Sequence, residues 1–455
     1  MRIIGNNPAA DNAEITAVAS GTLPDGKPVV VNTDGTVSVV AETTISEAVG
    51  TPTTTGSSGS GYHNAVTFDS NSNRIAMAYR DNGNSNYGTA VVATVNSNNT
   101  LTLGTPVVFS SSHSQNPSAT FDSSNNKVVI AFSDSGASGR GKAVVGTVDS
   151  SDNSISFGSI ATFETGEGGE PVAVFDSTNN KVVISYIDSS NGGKAIVGTV
   201  SGTSISFGSS ATFNSGTTAF LGAAFDSSNN KIVMCYTDGA ASGNPLNALV
   251  ATVSGTSISF GSEATVLSTE TQYNSIGFDQ NSGKIVVSYM DENNSNYGTS
   301  KVGTVSGTSI SFGSAVVWEQ GRANWIETIY DISAKQTVIF YLDVGDSNKG
   351  KIVRGTVSGT NISYSSATQF ESGETVHVAV GYSSTSSKIV ALYADGGNSN
   401  LRTYVVYQNS YPSPNLTSEN FIGFANGAAA DTGPARVQVG SGINGAQSSL
   451  TTGQQ

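Results

Sequence analysis

Residues 171–208 read PVAVFDSTNNKVVISYIDSSNGGKAIVGTVSGTSISFG, and this stretch sets the pattern for most of the chain. Four runs rich in β-branched residues, at 171–175, 181–186, 194–200 and 205–208, alternate with clusters of Asn, Gly and Ser. Such runs, separated by turn residues, are typical of antiparallel strands joined by hairpins. No stretch of comparable length shows the 3.6-residue period of an amphipathic helix. The stretch therefore predicts a four-stranded antiparallel unit.

The same unit occurs seven times along the chain. Each copy has an aromatic residue, usually followed by Asp, at the end of its first strand. The seven markers are Phe68, Phe121, Phe175, Phe225, Phe278, Tyr330 and Tyr382. Their spacings of 53, 54, 50, 53, 52 and 52 residues suit one β-propeller blade per copy. A β-solenoid is the alternative, but it usually has shorter coils and needs capping repeats at both ends.

The ends of the repeat region favour the propeller. The seventh copy lacks a fourth strand after residues 401–407, whereas residues 49–52, ahead of the first copy, align with the fourth strand at 103–106. The spare strand at the front can complete the last blade, which would hide both sheet edges. We therefore predict an all-β fold with a seven-bladed β-propeller over residues 43–408, whose last blade is closed by the N-terminal strand.

The two flanks are predicted to form one small β base domain. An Asp34-Gly35 turn lies between two apolar runs, and residues 421–425 and 434–439 predict two further strands. Neither flank is long enough to bury a core alone, and closure of the propeller would bring them together. We expect residues 1–42 and 409–455 to be the two parts of this domain, which a partner chain or further sequence would complete.

Composition excludes several classes of function. The 455 residues carry 20 Lys and Arg against 34 Asp and Glu, and this net charge of −14 argues against nucleic-acid binding. No apolar run reaches the roughly 18 residues of a membrane span, and the N-terminus lacks the apolar stretch of a signal peptide. The single cysteine, Cys235, excludes a disulfide framework and is expected to be a small buried thiol. We therefore predict an acidic protein with neither a nucleic-acid nor a membrane partner.

The chain lacks the motifs of common enzymes, and we predict that it is not an enzyme. It has no His-Glu-x-x-His, P-loop, Gly-x-Ser-x-Gly or Ser-x-Asp-x-Gly-x-Thr-Trp sequence. Its three histidines are His63, His113 and His377. They lie in different copies and are expected on surface loops. A glycan-active enzyme is an alternative, and its candidate carboxylates are Glu164, Glu170 and Glu374.

Every copy has an Asp two residues after an aromatic residue at the end of its second strand. These residues are Asp81, Asp134, Asp188, Asp238, Asp291, Asp343 and Asp395. Because a carboxylate at a turn can accept backbone N–H bonds, we predict a structural role for all seven. The Asn-rich loops that follow offer oxygen ligands for Ca²⁺, but no Asp-x-Asp-x-Asp-Gly spacing is present. We predict no cofactor and no metal site, with Ca²⁺ as the one ion to test.

The residue five positions before each aromatic marker differs between the copies. The residues at this position are His63, Asn116, Glu170, Phe220, Tyr273, Trp325 and His377. In a propeller they would surround the mouth of the central channel, on the face with the variable loops. Aromatic rings beside carboxylates and amides suit sugar recognition, because a ring stacks on a pyranose while polar groups bind its hydroxyls. We predict a ligand site here; the alternative is that these side chains only plug the channel.

The flanks contain residues 21–35 (GTLPDGKPVVVNTDG), 421–425 (FIGFA) and 449–453 (SLTTG), and the repeats contain stretches such as 121–130 (FDSSNNKVVI). These stretches resemble structural, fibre-like virion proteins of tailed bacteriophages, particularly marine phages and cyanophages. The resemblance implies a virion surface protein that is made in the host cytoplasm. It would be a tail fibre or tail-associated subunit whose propeller attaches to the host surface.

The resemblance also implies partners. These would be other virion proteins, bound through the base domain, a glycan or protein of the host surface, and further copies of the chain in a homo-oligomer. Weak glycan contacts gain avidity on a particle that carries many copies. The alternatives are a capsid decoration protein of the head fibre type, and a lectin or glycan-active enzyme.

Overall fold

The computed structural model describes residues 13–55, 61–416 and 420–439. The stretch 449–453, which contributes to the resemblance above, lies outside the described residues. The chain divides into two compact units: unit 1 comprises Met1–Ser46 and Ser410–Gln455, and unit 2 comprises Glu47–Asn409. The divisions fall after residues 46 and 409, whereas the sequence places them after 42 and 408.

The described residues form 37 strands and two single-turn 3₁₀ helices. Ahead of the first repeat lie β1 (Ala13–Val18), β2 (Pro28–Val31), β3 (Val37–Val39), β4 (Glu42–Ile45), β5 (Ala48–Val49) and β6 (Thr53–Thr54). The first three repeats contain β7 (Asn64–Asp69), β8 (Arg74–Asp81), β9 (Tyr87–Val95), β10 (Leu101–Leu103), β11 (Val107–Asp122), β12 (Lys127–Asp134), β13 (Arg140–Asp149), β14 (Ser154–Phe157), β15 (Ala161–Asp176), β16 (Lys181–Asp188), β17 (Gly193–Ser201), β18 (Ser204–Phe207) and β19 (Ala211–Asn214).

The other four repeats contain β20 (Thr218–Asp226), β21 (Lys231–Asp238), β22 (Pro245–Ser254), β23 (Ser257–Phe260), β24 (Ala264–Asp279), β25 (Lys284–Asp291), β26 (Tyr297–Ser306), β27 (Ser309–Phe312), β28 (Val316–Asp331), β29 (Gln336–Asp343), β30 (Lys349–Ser358), β31 (Asn361–Tyr364), β32 (Thr368–Ser383), β33 (Lys388–Asp395) and β34 (Leu401–Gln408). The chain then forms β35 (Tyr411–Pro414), β36 (Phe421–Ala425) and β37 (Pro434–Val439). The 3₁₀ helices are Ser135–Ala137 and Gly396–Asn398. No helix in the described part of the chain has the length and apolar character needed to cross a membrane.

Unit 1 is built from both flanks. Its main sheet has five antiparallel strands in the order β1-β37-β36-β2-β3, and β4 pairs with β35 in a second, two-stranded sheet. The predicted hairpin is present, because β2 and β3 pair around Asp34-Gly35 and Gly35 has a φ of 84°. Val29 from the front flank and Val437 from the rear flank are fully buried in one core. The two flanks therefore share a hydrophobic core, which explains how segments too short to fold alone become ordered.

In unit 2, each repeat pairs its first strand with its second, its second with its third, and its third with its fourth. In the third repeat, β16 lies between β15 and β17, and β17 pairs on its other side with β18 and then β19. The sequence predicts that this fourth strand ends at Gly208, and the predicted strand is too short. Residues 208–210 interrupt the strand, but its pairing with β17 resumes at Ala195↔Ala211 and continues at Lys194↔Thr212.

The fourth strand of one repeat usually continues into the first strand of the next. β11, β15, β24, β28 and β32 are each 16 residues long. The beginning of β15 pairs with β13 and its end pairs with β16, so one strand belongs to two consecutive repeats. The sequence treats the two halves as separate strands, and this is wrong because the chain continues through the junction with only a β-bulge between Gly169 and Val172.

The predicted use of a spare front strand is confirmed. β34, the third strand of the seventh repeat, pairs with β5 at Tyr407↔Val49 and with β6 at Tyr404↔Thr53. This reproduces the pairing of β17 with β18 and β19 in the third repeat. The seventh repeat therefore obtains its fourth strand from residues that precede the first repeat.

Side chains also join the seventh repeat to the first. The guanidinium of Arg402 lies 3.7 Å from the ring centroid of Tyr79, and its Nε donates to Asn64 Oδ1 at 3.1 Å. Arg402 is only 1% exposed, and this burial lowers its pKa to about 10. Lys388 Nζ donates to the carbonyl oxygens of Asn96 and Ser97 at 2.8 and 2.7 Å.

A glycine in the fourth strand lets consecutive repeats approach closely. The glycines are Gly50, Gly104, Gly158, Gly208, Gly261 and Gly313. A Cβ at Gly158 would lie 1.8 Å from the carbonyl oxygen of Thr203, in the hairpin between the third and fourth strands of the next repeat. In the sixth repeat Ser365 holds this position, because the seventh repeat has no such hairpin. In the same way, a Cβ at Gly50 would lie 2.3 Å from the carbonyl oxygen of Asn99 in the first repeat.

We expect Gly158→Ala to destabilise unit 2 by about 1–3 kcal/mol, the usual cost of overpacking. The added methyl group would contact backbone that cannot move without shifting the neighbouring hairpin. The matched control is Gly166→Ala in β15, where the nearest atom to an added Cβ lies 3.4 Å away. Thermal unfolding followed by circular dichroism measures both variants. Equal melting temperatures for the two would contradict the role given to this contact.

Candidate functional site

The seven residues predicted at the channel mouth share an unusual backbone conformation. Their φ angles are 58° at His63, 44° at Asn116, 43° at Glu170, 50° at Phe220, 54° at Tyr273, 50° at Trp325 and 53° at His377. This is the left-handed region, which costs a non-glycine residue on the order of 1 kcal/mol or more. In most repeats the residue lies in a β-bulge between the first and second strands, such as the register shift between Gly169 and Val172. Bulges of this kind redirect a side chain, and strain of this kind is concentrated at functional sites.

The structure brings all seven residues together around one cavity. The cavity has a volume of about 550 Å³, and each repeat contributes its left-handed residue and the residue that follows it. A second, inner cavity of about 270 Å³ is lined by the next residues of the same first strands. Asn64, Asn274 and Glu327 line both cavities, so the two adjoin each other.

One side of the outer cavity is aromatic. Phe220, Tyr273, Trp325 and His377, which we call the aromatic arc, follow one another around the wall. Their successive ring centroids are 5.8, 5.1 and 4.0 Å apart, with interplanar angles of 50°, 54° and 39°. Consecutive repeats thus present an unbroken series of rings to the cavity.

The other side of the outer cavity is polar. Asn116 contacts His63 through its side-chain oxygen, and the backbone N–H of Asn116 donates to His63 Nδ1 at 3.3 Å. Burial raises the pKa of Glu170, and its carboxyl group has no hydrogen-bond partner among the described residues. The cavity therefore combines a stacking surface with hydrogen-bonding groups that are available to a ligand.

The two histidines of the cavity are neutral at physiological pH. Burial, with a smaller electrostatic effect of Arg80, lowers the pKa of His63 to about 4, and burial and the neighbouring His63 lower that of His377 to about 3. Their rings are 5.3 Å apart. The expectation that His63 and His377 lie on surface loops is wrong, because the first and seventh repeats are neighbours. His113 lies half-buried in β11, outside both cavities.

The repeated Asp residues lie away from the cavities and accept hydrogen bonds within their turns. Asp188 Oδ1, for example, accepts from the backbone N–H groups of Ser190 and Gly192, both at 2.9 Å. Three of the seven also pair with a lysine: Asp134 binds Lys142, Asp188 binds Lys194 and Asp343 binds Lys351. Among the described residues no group of three or more His, Cys, Asp or Glu side chains has an arrangement that fits a metal ion.

Of the three carboxylates proposed for catalysis, only Glu170 lines the cavity. Glu164 instead accepts a hydrogen bond from the hydroxyl of Tyr186 at 3.0 Å, and Glu374 pairs with Lys349 in the strand register. Cys235 is fully buried, as predicted, and burial raises its pKa to about 12.

Sequence reasoning missed Glu327. This residue lies three positions before the aromatic marker of the sixth repeat and lines both cavities. Burial raises its pKa to about 8, so the carboxyl group is mostly protonated at neutral pH. Alignment of the repeats contains the signal: the other six have Ala, Ser, Val or Gly at this position.

Comparison with solved structures identifies the fold of the repeats as a β-propeller. The chain is similar to the BP39L lectin from Burkholderia pseudomallei, with a TM-score of 0.57 and 11% sequence identity over 78% of this chain and 98% of that one. At this identity the likeness establishes the fold alone. A triple arginine-to-alanine mutant of AofleA from Arthrobotrys oligospora matches with a TM-score of 0.41 and 11% identity, over 70% of this chain and 87% of that one. No protein-family model and no curated protein sequence matches the chain.

The raised pKa of Glu327 predicts a pH dependence of stability. An exposed Glu titrates near 4.5, so between about pH 4.5 and 8 the folded protein holds a proton that the unfolded chain has lost. This contribution to stability is complete below about pH 4.5 and is lost as the pH rises through 8. We expect the melting temperature of the wild type to fall, relative to that of Glu327→Gln, between pH 5 and pH 8.

The histidines act in the opposite direction and are common to both proteins, so the comparison isolates Glu327. Because their folded pKa values are lowered, their contribution is present above about pH 6.5 and is lost as the pH falls towards 4. Glu270→Gln, at an exposed position of β24, is the matched control and should follow the wild type at every pH. A constant difference between wild type and Glu327→Gln would rule out a buried, protonated carboxyl group.

Proposed function

We propose that the repeats are the seven blades of a closed β-propeller that binds a glycan at its channel mouth, and that the protein attaches a tailed bacteriophage particle to its host. The observation that carries the binding site is the convergence of seven strained side chains, one per repeat, on a single cavity with an aromatic arc. The protein would act by recognition and not by catalysis.

Closure of the ring is supported by hydrogen bonds between the first strands of consecutive repeats. The backbone N–H of Ala173 donates to Ser118 Oγ at 3.0 Å, and the backbone N–H of Thr328 donates to Ser275 Oγ at 2.9 Å. The first and seventh repeats are joined in the same region, where Asn64 Nδ2 donates to the carbonyl oxygen of His377 at 2.9 Å. Together with the pairing of β34 with β5 and β6, these bonds favour a closed ring of repeats.

A sugar fits the chemistry of the outer cavity. The apolar face of a pyranose stacks on aromatic rings, and its hydroxyls need the donors and acceptors that Asn116 and Glu170 provide. A volume of about 550 Å³ is within the range of about 300–1,000 Å³ found for ligand pockets. Side chains that only plugged the channel would be expected to fill this space. The similar protein BP39L is named a lectin, which is consistent with this function.

Binding is favoured over hydrolysis by the state of the two carboxyl groups. Glycoside hydrolysis requires one protonated carboxyl group and one ionised carboxylate beside the scissile bond. Burial raises the pKa of both Glu170 and Glu327, and no Lys or Arg lines the outer cavity to favour the ionised form of either one.

Attachment to a phage particle is supported by the resemblance of the flanks and repeats to virion proteins. Unit 1 provides a structured element from both ends of the repeat region, and we assign to it the contact with other virion proteins. A particle that carries many copies would gain avidity from weak glycan contacts. We expect the host partner to be a surface glycan or glycoprotein, and the protein to form a homo-oligomer on the particle.

Trp325 provides a direct test of the glycan site. The chain has only two tryptophans, so Trp318→Phe leaves Trp325 as the single reporter, and Trp325→Phe leaves only Trp318. Trp318 lies outside the cavity and packs on Tyr341 at 4.8 Å between ring centroids. A glycan selected on an array should change the fluorescence of Trp318→Phe but not that of Trp325→Phe. Trp325→Ala should weaken binding at least about tenfold, a loss of about 1.4 kcal/mol.

Full affinity of Trp325→Ala would contradict a site at the channel mouth. The Trp318→Phe protein should retain wild-type affinity and serves as the control for folding. Release of new reducing ends from the bound glycan would contradict the non-catalytic assignment.

Immunogold labelling of purified particles tests the location. Label on tails or fibres is the result expected for host attachment. Label distributed over the head would instead support capsid decoration, and absence of label from particles would contradict a virion role while leaving the glycan site to the fluorescence test.

A further inference from the structure

We propose that the channel is selective for a ligand with a positively charged amine, and that the ammonium group of an amino sugar is bound at Glu327, where the outer and inner cavities meet. This inference rests on the proposed glycan site and adds the chemical class of the ligand. The observations that carry it are the position of Glu327, the acceptors around it and the charges of the cavity wall.

Glu327 interrupts a ring of short side chains. The residues at the equivalent position of the other repeats are Ala65, Ser118, Val172, Gly222, Ser275 and Ala379. These short side chains leave the inner cavity of about 270 Å³, and Glu327 is the one ionisable group that lines it. Its carboxyl group has no hydrogen-bond partner among the described residues. Glu327 is half-buried, and desolvation of a carboxyl group without a partner is costly, so a ligand that supplies hydrogen bonds and a positive charge would lower that cost.

Two other residues that line the inner cavity, Asn274 and Thr328, also offer acceptors. Asn274 lines both cavities, and its Nδ2 donates to Thr237 Oγ1 at 2.8 Å, which fixes the orientation of the amide. Its Oδ1 is then left as a buried acceptor without a partner in the described structure, as is Thr328 Oγ1. An ammonium group has three donors and no acceptor, so it complements this set.

No Lys or Arg is among the residues that line the two cavities. The nearest guanidinium groups are engaged elsewhere: Arg402 binds Asn64 and stacks on Tyr79, and Arg80 Nε donates to Asn82 Oδ1 at 2.7 Å. The cavity histidines are neutral, and the acidic side chains on the wall are Glu170 and Glu327. The charge of Arg80 acts on another part of the wall, at His63 and His377. An anionic sugar would find no Lys or Arg on the wall, whereas an ammonium group would find two carboxyl groups, and its charge would favour release of the proton that Glu327 holds.

The aromatic arc adds to this preference. A cation near the face of an aromatic ring is attracted by the ring's quadrupole, most strongly by Trp and Tyr. Tyr273 and Trp325 are adjacent, with 5.1 Å between centroids, so a ligand that passes them towards Glu327 would keep favourable contacts along its path. A bare metal ion fits less well, because hard cations require about six oxygen ligands and the described wall supplies two carboxyl groups in different repeats.

The test compares tetramers of glucosamine and of N-acetylglucosamine, which differ in the free amine. Each is titrated into the Trp318→Phe protein at about pH 6, where the sugar amine is protonated, and Trp325 fluorescence gives the dissociation constant. We expect the glucosamine tetramer to bind at least about tenfold more tightly, because its ammonium group displaces the proton of Glu327 and forms a charge-assisted hydrogen bond with the carboxylate. Glu327→Gln, added to the same background, should abolish the difference, whereas the control Glu270→Gln should leave it unchanged.

The outcomes separate this inference from the proposed function. Equal affinity for both tetramers, or binding of only neutral or anionic glycans on an array, would overturn the amine selectivity and leave the glycan site intact. Retained selectivity in Glu327→Gln would remove Glu327 from the site. Absence of binding by any glycan would overturn the proposed function itself. Circular dichroism of each variant confirms that a lost preference does not reflect unfolding.

Discussion

The pairing of β34 with β5 and β6 is the interaction on which the rest of unit 2 depends. It supplies the seventh repeat with a fourth strand from the front of the chain, and it places the first repeat beside the seventh. Without this pairing β34 would expose an unpaired strand edge. It also brings His63 of the first repeat next to His377 of the seventh. The wall of the outer cavity therefore depends on the contact between the first and the last repeat.

The seven left-handed residues show how a repeated scaffold can carry a site that is not repeated. Each repeat provides the same bulge, and the bulge turns one side chain towards the common cavity. The side chain itself changes from repeat to repeat, which creates an aromatic side, a polar side and, one layer deeper, a single carboxyl group. Strain on the order of 1–3 kcal/mol per residue is tolerated because the flanking strands fix the backbone on both sides.

Much of this architecture could be predicted from the sequence because the features concerned are local or periodic. The aromatic markers predicted the repeat, and the turn residues predicted the hairpins. The spare strand at 49–52 predicted the pairing with β34. The seven residues of the cavity wall could be placed because they hold one position in the repeat. The extension of the fourth strand could not be predicted, since the Gly-Ser-Ser at 208–210 has the composition of a turn. Glu327 was missed because its role depends on the inner cavity, and that cavity exists only because the other six repeats have short side chains at this position.

The central claim is that one ligand binds on the axis of the repeats, between the aromatic arc and Glu327. A crystal structure of the protein with the tightest-binding glycan from an array tests this most directly. We predict a sugar ring stacked on Trp325 within the outer cavity, with a polar or charged group directed towards Glu327. A glycan bound at the outer edges of the repeats, with the cavity unoccupied, would contradict the claim.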